Sequence, residues 1–166
     1  MCSEAHKFSI NTRLKLVQYN WIMRTYITPE KVNKFNPNVP DTCVKCQTHK
    51  GTLFHCIWEC GKIQKFWKEV INIISQITSK PIPLCPRLCI LGLYPINLIL
   101  KKHEITLINI CLIHTKRLIA MYWKNVSCPN ISHWLKELSS CLALEKLTYS
   151  LRNRLGGNFM RSGATS

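Results

Sequence analysis

Residues 43–60, CVKCQTHKGTLFHCIWEC, contain four cysteines and two histidines within eighteen positions. Cys43 and Cys46 form a C-x2-C turn, whose two thiolates can reach one metal ion. His55 and Cys60 can supply the other two corners of a tetrahedron, so the spacing C-x2-C-x8-H-x4-C predicts a zinc site. Three thiolates and one imidazole leave no open position on the metal, and the predicted site is therefore structural and not catalytic.

Other uses of these residues stay open at the level of sequence. His49 or Cys56 can replace one of the four ligands, and in a chain with ten cysteines the cluster can also be fortuitous. A redox C-x-x-C motif is disfavoured, because it needs a strand before it and a helix after it, and residues 36–51 indicate neither. Gly51 lies between the two halves of the motif, where a folded-back loop is expected to need a positive φ.

The segment before the cluster has the pattern of two helices. An amphipathic basic helix is predicted from about residue 9, with one apolar face formed by Ile10, Leu14, Val17, Trp21 and Ile22. Thr28, Pro29 and Glu30 are typical of an N-cap, a first helical position and an acid in the first turn. They predict a second, short helix that runs to about Phe35.

The segment after the cluster is predicted to be helical over most of its length. Residues 61–78 form a helix with one apolar face, made of Ile63, Phe66, Trp67, Val70, Ile71 and Ile74. Residues 81–95 hold four prolines, which indicates an extended connector with one short strand from Leu88 to Leu93. Two further helices are predicted around residues 103–124 and 131–150, and the stretch after them is expected to fray.

These elements predict a mainly α fold, a small helical domain with an irregular zinc-knuckle-like insert. Amphipathic basic helices occupy residues 1–40, the Cys/His insert residues 41–60, and the helical C-terminal region residues 61–155. Residues 156–166 are expected to be a flexible tail.

The charge of the chain restricts its function. There are 23 Lys and Arg residues against 8 Asp and Glu, which gives a formal net charge of +15 and predicts a polyanionic partner. The acids are isolated, and this argues against glycosidases and two-metal nucleases. Residues 105–123 are apolar, but Lys116 and Arg117 in their middle argue against a membrane span. The first residues lack a signal-peptide pattern, so we expect an intracellular protein, cytoplasmic or nuclear, with reduced thiols.

Several blocks of sequence occur together in an order typical of one family. They are LKLVQYNWIMRTYITPEKVNKF, the C-x2-C pair, GTLFHCIWEC, IQKFWKEV, ILGLYP and ISHWLKEL. Over most of residues 9–155 the chain resembles the C-terminal segment of the polyproteins of LINE-type, non-LTR retrotransposons. The resemblance implies a segment that follows a reverse transcriptase domain and carries a zinc-knuckle-like motif associated with RNA binding. It also implies the same ligand set, Cys43, Cys46, His55 and Cys60.

Together these observations predict a non-catalytic, zinc-dependent module that binds RNA or another single-stranded nucleic acid. The Tyr-x-Asp-Asp block of a polymerase does not occur in the sequence. Phosphate contacts are predicted for Lys45, Lys50, Lys62 and Lys65. Trp58 is the first candidate to stack on a base, and Trp21, Phe66 and Trp67 are the others. The alternatives are a scaffold segment that packs on a reverse transcriptase domain and a retrotransposon fragment without function. Neither a membrane nor a small-molecule substrate is expected.

Overall fold

The helices of this protein are separated by short irregular segments, and one of these segments carries the cysteine cluster. The computed structural model describes residues 12–162. Within that range it contains six α-helices and one π-helical turn: α1 Thr12–Ile22, α2 Pro29–Phe35, the π-turn His55–Glu59, α3 Gly61–Thr78, α4 Pro86–Leu91, α5 Lys102–Met121 and α6 Ile131–Ser162. In the described residues β pairing is limited to one antiparallel bridge between Thr42 and Lys50. The predicted mainly α fold is confirmed.

Helix α1 packs against α5, and its buried face is narrower than the sequence predicts. Leu14 and Trp21 are buried as expected, but Ile22 is 40% exposed. Consecutive residues of a helix point about 100° apart, so a helix that buries Trp21 turns Ile22 toward solvent. Gln18 is buried instead, because its Oε1 accepts a hydrogen bond of 2.7 Å from the Lys116 ammonium of α5. Ile10 lies outside the described residues.

Helix α2 has the predicted boundaries and the predicted cap. The Thr28 Oγ1 accepts a hydrogen bond of 3.2 Å from the backbone N–H of Lys31, and Pro29 is the first helical residue. None of the residues of α2 is buried. The helix therefore depends on its cap and on the segments around it more than on a buried face of its own.

Helix α3 is the centre of the core. All six residues of its predicted apolar face are buried, and it contacts α5, α6 and the π-turn. Burial of a large apolar side chain stabilises the folded state by about 1.5–3 kcal/mol, so this face is a main source of stability. The same buried cluster contains Cys43 and Cys60, which joins the cysteine-bearing segment to the core of the protein.

The predicted strand from Leu88 to Leu93 is wrong, because most of these residues belong to α4. Pro86 is the first residue of that helix, where its missing N–H costs nothing. Gly92 ends the helix with a φ of 71°, a left-handed conformation that glycine adopts without strain. Leu88 and Cys89 are buried. Pro86 at the start and Gly92 directly after the apolar residues Leu88–Leu91 were therefore signals of a short helix.

Helices α5 and α6 correspond to the last two predicted helices. Arg117 of α5 forms an ion pair with Glu137 of α6, and the Tyr122 hydroxyl lies 3.1 Å from the Nδ1 of His133. The predicted end of α6 near residue 150 is wrong, since this helix runs to Ser162. Adding residues to an existing helix is easier than starting one, so α6 can pass through Gly156 and Gly157 at about 1 kcal/mol each.

The flexible tail predicted for residues 156–166 falls partly on α6 and partly on residues 163–166, which lie outside the described residues. In the described part of the chain, none of the helices combines the length and the apolar character that crossing a membrane requires.

His114 of α5 is a buried histidine with an unusual environment. It is 2% exposed, and neither ring nitrogen has a hydrogen-bond partner among the described residues. Burial and the nearby Arg117 together lower the pKa of His114 to about 4, although Glu137 acts in the opposite direction. The folded protein therefore keeps His114 neutral at pH values where the unfolded chain would bind a proton.

We expect this histidine to make the protein less stable as the pH falls from about 6.5 to about 4. In that interval the unfolded state binds more protons than the folded state, so each step to lower pH favours unfolding. A His114→Leu variant, which removes two unpaired nitrogens at similar volume, should lose this part of the pH dependence. Urea unfolding of both proteins at pH 7 and pH 5 measures this change in the free energy of unfolding. Equal losses of stability in both proteins would contradict the prediction.

Candidate metal centre

The first half of the centre is a tight loop between the two bridged residues Thr42 and Lys50. The backbone N–H of Cys43 donates to the carbonyl of His49 at 2.7 Å, and the N–H of Gln47 donates to the carbonyl of Cys43 at 2.8 Å. Gln47 has a φ of 58°, which reverses the chain directly after Cys46. These bonds hold Cys43 and Cys46 on the same side of the loop.

The second half is the π-turn, which sets the positions of His55 and Cys60. The N–H of Cys60 donates to the carbonyl of His55 at 2.9 Å, five residues back, and this bond defines the wider turn. The Thr52 Oγ1 accepts a hydrogen bond of 3.1 Å from the N–H of His55. Trp67 of α3 donates its ring N–H to the carbonyl of Ile57 at 2.9 Å. Thr52 thus caps the turn, and Trp67 fastens it to the core.

These two halves bring the four predicted ligands together. The ligand atoms of Cys43, Cys46, His55 and Cys60 all lie within 4.8 Å of one another, and Cys46 Sγ is 3.4 Å from His55 Nε2. A tetrahedral zinc ion with bonds of about 2.3 Å to sulfur separates its ligands by about 3.8 Å, so the group has the right size. The cysteines in the described residues are free thiols. The donor set of three thiols and one imidazole can therefore hold a metal ion.

The thiols of this group have different acidities. Burial raises the pKa of Cys46, but hydrogen bonds from Thr48 and His49 outweigh it, and the net effect lowers that pKa to about 4. Burial raises the pKa of Cys60 to about 11, although backbone N–H groups of Lys62 and Ile63 oppose the rise. Cys46 is therefore ready to bind a cation as a thiolate. Cys60 needs the charge of a metal ion to lose its proton at neutral pH.

The alternative ligands His49 and Cys56 are close to the group but are not part of it. His49 is exposed, and its ring stacks on that of His55 with the centroids 5.4 Å apart. Its Nδ1 is 2.9 Å from the Thr48 hydroxyl and 3.9 Å from Cys46 Sγ. Burial and the neighbouring Cys43 raise the pKa of Cys56 to about 12. His49 and Cys56 are therefore neighbours of the four-residue group and not members of it.

Lys45 does not have the position that was predicted for a phosphate contact. It is 3% exposed, and its ammonium donates to the carbonyls of Tyr122, Asn125 and Ser127, at 2.8, 3.0 and 3.4 Å. The three carbonyls belong to the turn between α5 and α6, so Lys45 ties the metal-binding loop to that turn. We therefore leave Lys45 out of the nucleic-acid contacts proposed below.

The other predicted contact residues are divided between surface and core. Lys50, Lys62 and Lys65 are exposed. Lys50 pairs with Glu30 at 3.2 Å, and the Lys62 ammonium donates to the carbonyl of Lys45 at 2.7 Å. Trp58 is partly buried, with its ring centroid 5.9 Å from that of Trp67. The three remaining aromatic candidates are buried in the core and present no face for stacking: Trp21, Phe66 and Trp67.

Gly51 is needed for a reason other than the predicted one. Its φ is not positive, and Gly92 is the glycine with a positive φ in the described residues. A Cβ on Gly51 would instead lie 2.7 Å from Cγ and 2.8 Å from Cβ of Pro29. The N–H of Gly51 donates to the backbone carbonyl of Asp41 at 2.7 Å, and the carbonyl of Gly51 accepts from the backbone N–H of Glu30 at 3.3 Å. The glycine allows α2 to lie directly against the metal-binding segment.

A Gly51→Ala variant is expected to lose about 1–3 kcal/mol of stability, because the new methyl group pushes the rigid ring of Pro29 away. Gly61→Ala is the matched control, since a Cβ on Gly61 meets nothing within 4 Å. That variant should be as stable as the parent or slightly more stable. Thermal unfolding of the three proteins tests the difference. Equal melting temperatures for the two variants would contradict it.

Two features of the centre were not expected from the sequence. Thr52 caps the turn that carries His55, and the Thr-x-x-His spacing has the pattern of a side-chain cap, which could have revealed it. The burial of Lys45 could not be predicted from the sequence, since its three hydrogen-bond partners are 77 to 82 residues away in the chain.

No protein-family model matches the chain. The resemblance to LINE-type polyproteins therefore stays a prediction from the sequence blocks, while the ability of the four residues to hold a metal ion follows from their geometry.

Proposed function

We propose that this chain is a non-catalytic, zinc-dependent module that binds single-stranded RNA. The observation that carries the proposal is the grouping of three thiols and one imidazole within 4.8 Å in a chain with a formal charge of +15. Small basic modules stabilised by a metal are well suited to hold single strands, because rigid loops place lysines at fixed distances along the backbone.

Zinc in this centre would supply structural stabilisation, since its four positions are filled by protein ligands. The surrounding residues hold the ligand-bearing segments in position. Thr52 orients the turn that carries His55, and Trp67 fixes the same turn to α3. Lys45 joins the loop of Cys43 and Cys46 to the turn between α5 and α6. The centre thereby connects segments that lie far apart in the sequence.

The proposed RNA contacts are Lys50, Lys62 and Lys65, with Trp58 beside them. The three lysines are exposed near the metal centre, and each can neutralise one phosphate. Trp58 is half-buried, so it can offer an edge or part of a face to a base but not the whole ring. We propose no catalytic residue, because the donor set leaves no open metal position for a substrate.

Salt dependence of RNA binding tests the proposal. Fluorescence anisotropy with a labelled oligouridine should show the logarithm of the binding constant falling linearly with the logarithm of salt concentration. Three phosphate contacts predict a slope of about −2, since each contributes about −0.7 on single strands. A chelator that removes the metal should weaken binding in parallel. Affinity that is indifferent to salt, or no binding to the oligouridine, would overturn the proposal.

A second candidate function, binding to another protein, is favoured by one surface. An apolar groove of about 600 Å³ lies between α2, the metal-binding loop and the end of α5, with Ile27, Val39 and Trp123 among its lining residues. The resemblance suggests a reverse transcriptase domain as the partner. Light scattering across a salt series separates the two functions, since association through apolar surface persists at high salt while RNA binding falls.

A further inference from the structure

We propose that a cleft between α3 and the turn before α6 holds one nucleotide of the bound RNA, with its phosphate on Lys62 and Lys65. We call it the Lys62 cleft. It has a volume of about 320 Å³, and the lining residues used below are Lys62, Lys65, Phe66, Val126, Cys128 and Pro129. The inference rests on the proposed RNA binding and assigns it a location.

The Lys62 cleft carries an excess of positive charge. Lys62 and Lys65 follow each other by three residues on α3, so their side chains share one face of the helix. The buried Lys45 ammonium donates to the carbonyl of Ser127, another residue of the lining. It is held by carbonyl dipoles, and the ion pairs in the described part of the chain involve none of these three lysines. Glu69 is the one carboxylate of the lining. The lining therefore holds two cations against one anion, which leaves a positive cleft.

Two of these charges act on the Cys128 thiol in the cleft wall. Burial raises the pKa of Cys128, and the ammonium groups of Lys45 and Lys62 both oppose this rise. The Lys62 side chain does not swing freely, because its ammonium donates to the carbonyl of Lys45 at 2.7 Å. A cation held in place loses less side-chain entropy on binding a phosphate than a free lysine does.

Part of the cleft wall is apolar. Phe66, Val126 and Pro129 form this part, beside the polar Ser127 and Asn130, and Phe66 is almost completely buried. A concave wall of low polarity concentrates the field of the lysines and raises the local concentration of anions. The exposed side chain of Val126 gives the weakly polar face of a base or ribose an apolar surface to contact, whereas Phe66 presents no face for stacking. A nucleotide has both parts, a charged phosphate and an apolar face, whereas a membrane surface does not enter a cleft of this size.

The matched test compares two pairs of lysines. The Lys62→Gln, Lys65→Gln variant removes the cleft charges, and Lys102→Gln, Lys136→Gln removes two exposed charges elsewhere. Anisotropy with labelled oligouridine should show a loss of about tenfold for the first variant, and a salt slope reduced by about 1.4. The second variant should lose less than about threefold. Val126→Trp fills the cleft without changing its charge, and it should also weaken binding.

Ultraviolet cross-linking gives a test that does not depend on any of these variants. Cysteine thiols cross-link to uridine, and Cys128 is half-buried in the wall of the cleft. Mass spectrometry of the parent protein with oligouridine should find a cross-link at Cys128 that disappears in Cys128→Ser. Equal losses of RNA affinity in the two double-lysine variants, together with no cross-link at Cys128, would overturn the assignment of the nucleotide to the Lys62 cleft. The proposed RNA binding would still stand. No binding by the parent protein would overturn the proposed function as well.

Discussion

Replacement of Cys46 with alanine is expected to abolish metal binding and to unfold the segment that carries the centre. The pKa of Cys46 is lowered to about 4, so at neutral pH this residue offers a thiolate to the metal. Structural zinc contributes on the order of 10 kcal/mol to the folding of small sites, and three remaining ligands hold it far less tightly. Because Cys43 and Cys60 belong to the buried core, the damage should extend beyond the loop.

Elemental analysis and thermal unfolding measure this effect. The parent protein should contain about one zinc ion per chain, and the variant none. Cys85→Ala is the matched control, since Cys85 is also half-buried but lies outside the group of four. It should keep its zinc and most of its stability. Equal zinc contents in the parent and in Cys46→Ala would show that the four residues do not bind the metal as proposed.

The second large effect is expected for Lys45→Met. Methionine keeps most of the volume of the lysine stem but leaves the carbonyls of Tyr122, Asn125 and Ser127 without the ammonium that they share. A hydrogen bond to a charged group contributes about 1.5–3 kcal/mol, so the loss of three such bonds should cost about 3 kcal/mol or more. The loop of Cys43 and Cys46 also loses its tie to the turn before α6, and metal affinity should fall.

Urea unfolding and competition with a chelator measure the two effects of Lys45→Met separately. Lys65→Met is the control, because Lys65 is exposed, and surface substitutions of this kind change stability by less than about 0.5 kcal/mol. If Lys45→Met were as stable as this control, the three hydrogen bonds would not contribute to the folded state. A loss of stability without a change in metal affinity would mean that the loop is held without Lys45.

The parts of the structure that depend on neighbours in the chain could be predicted from the sequence. The cap of α2 needs only Thr28, Pro29 and the N–H of Lys31, which lie within four residues. The apolar face of α3 follows from helical spacing alone. The four ligands lie within eighteen residues, so the spacing of Cys43, Cys46, His55 and Cys60 was sufficient to identify the group that comes together.

The parts that depend on distant residues could not be predicted. Lys45 was predicted to contact phosphate, and the burial that prevents this contact depends on carbonyls about 80 residues away. The contact that requires Gly51 to lack a side chain comes from Pro29, which belongs to a separate element. The error at α4 has another cause. The prolines before Leu88 argue against a long helix, but one of them, Pro86, is also a start signal for a short helix that ends at Gly92.

The packing of α1 on α5 has a consequence for how the chain folds during synthesis. The partner of Gln18 is Lys116, 98 residues later, and the indole of Trp123 donates to the carbonyl of Ile27, 96 residues earlier. The apolar face of α1 thus stays uncovered until the ribosome has made α5. Contacts of such long range slow folding and leave apolar surface accessible for longer. A nascent chain that stops before residue 102 should therefore be a target for chaperones, while one that extends past residue 123 should not.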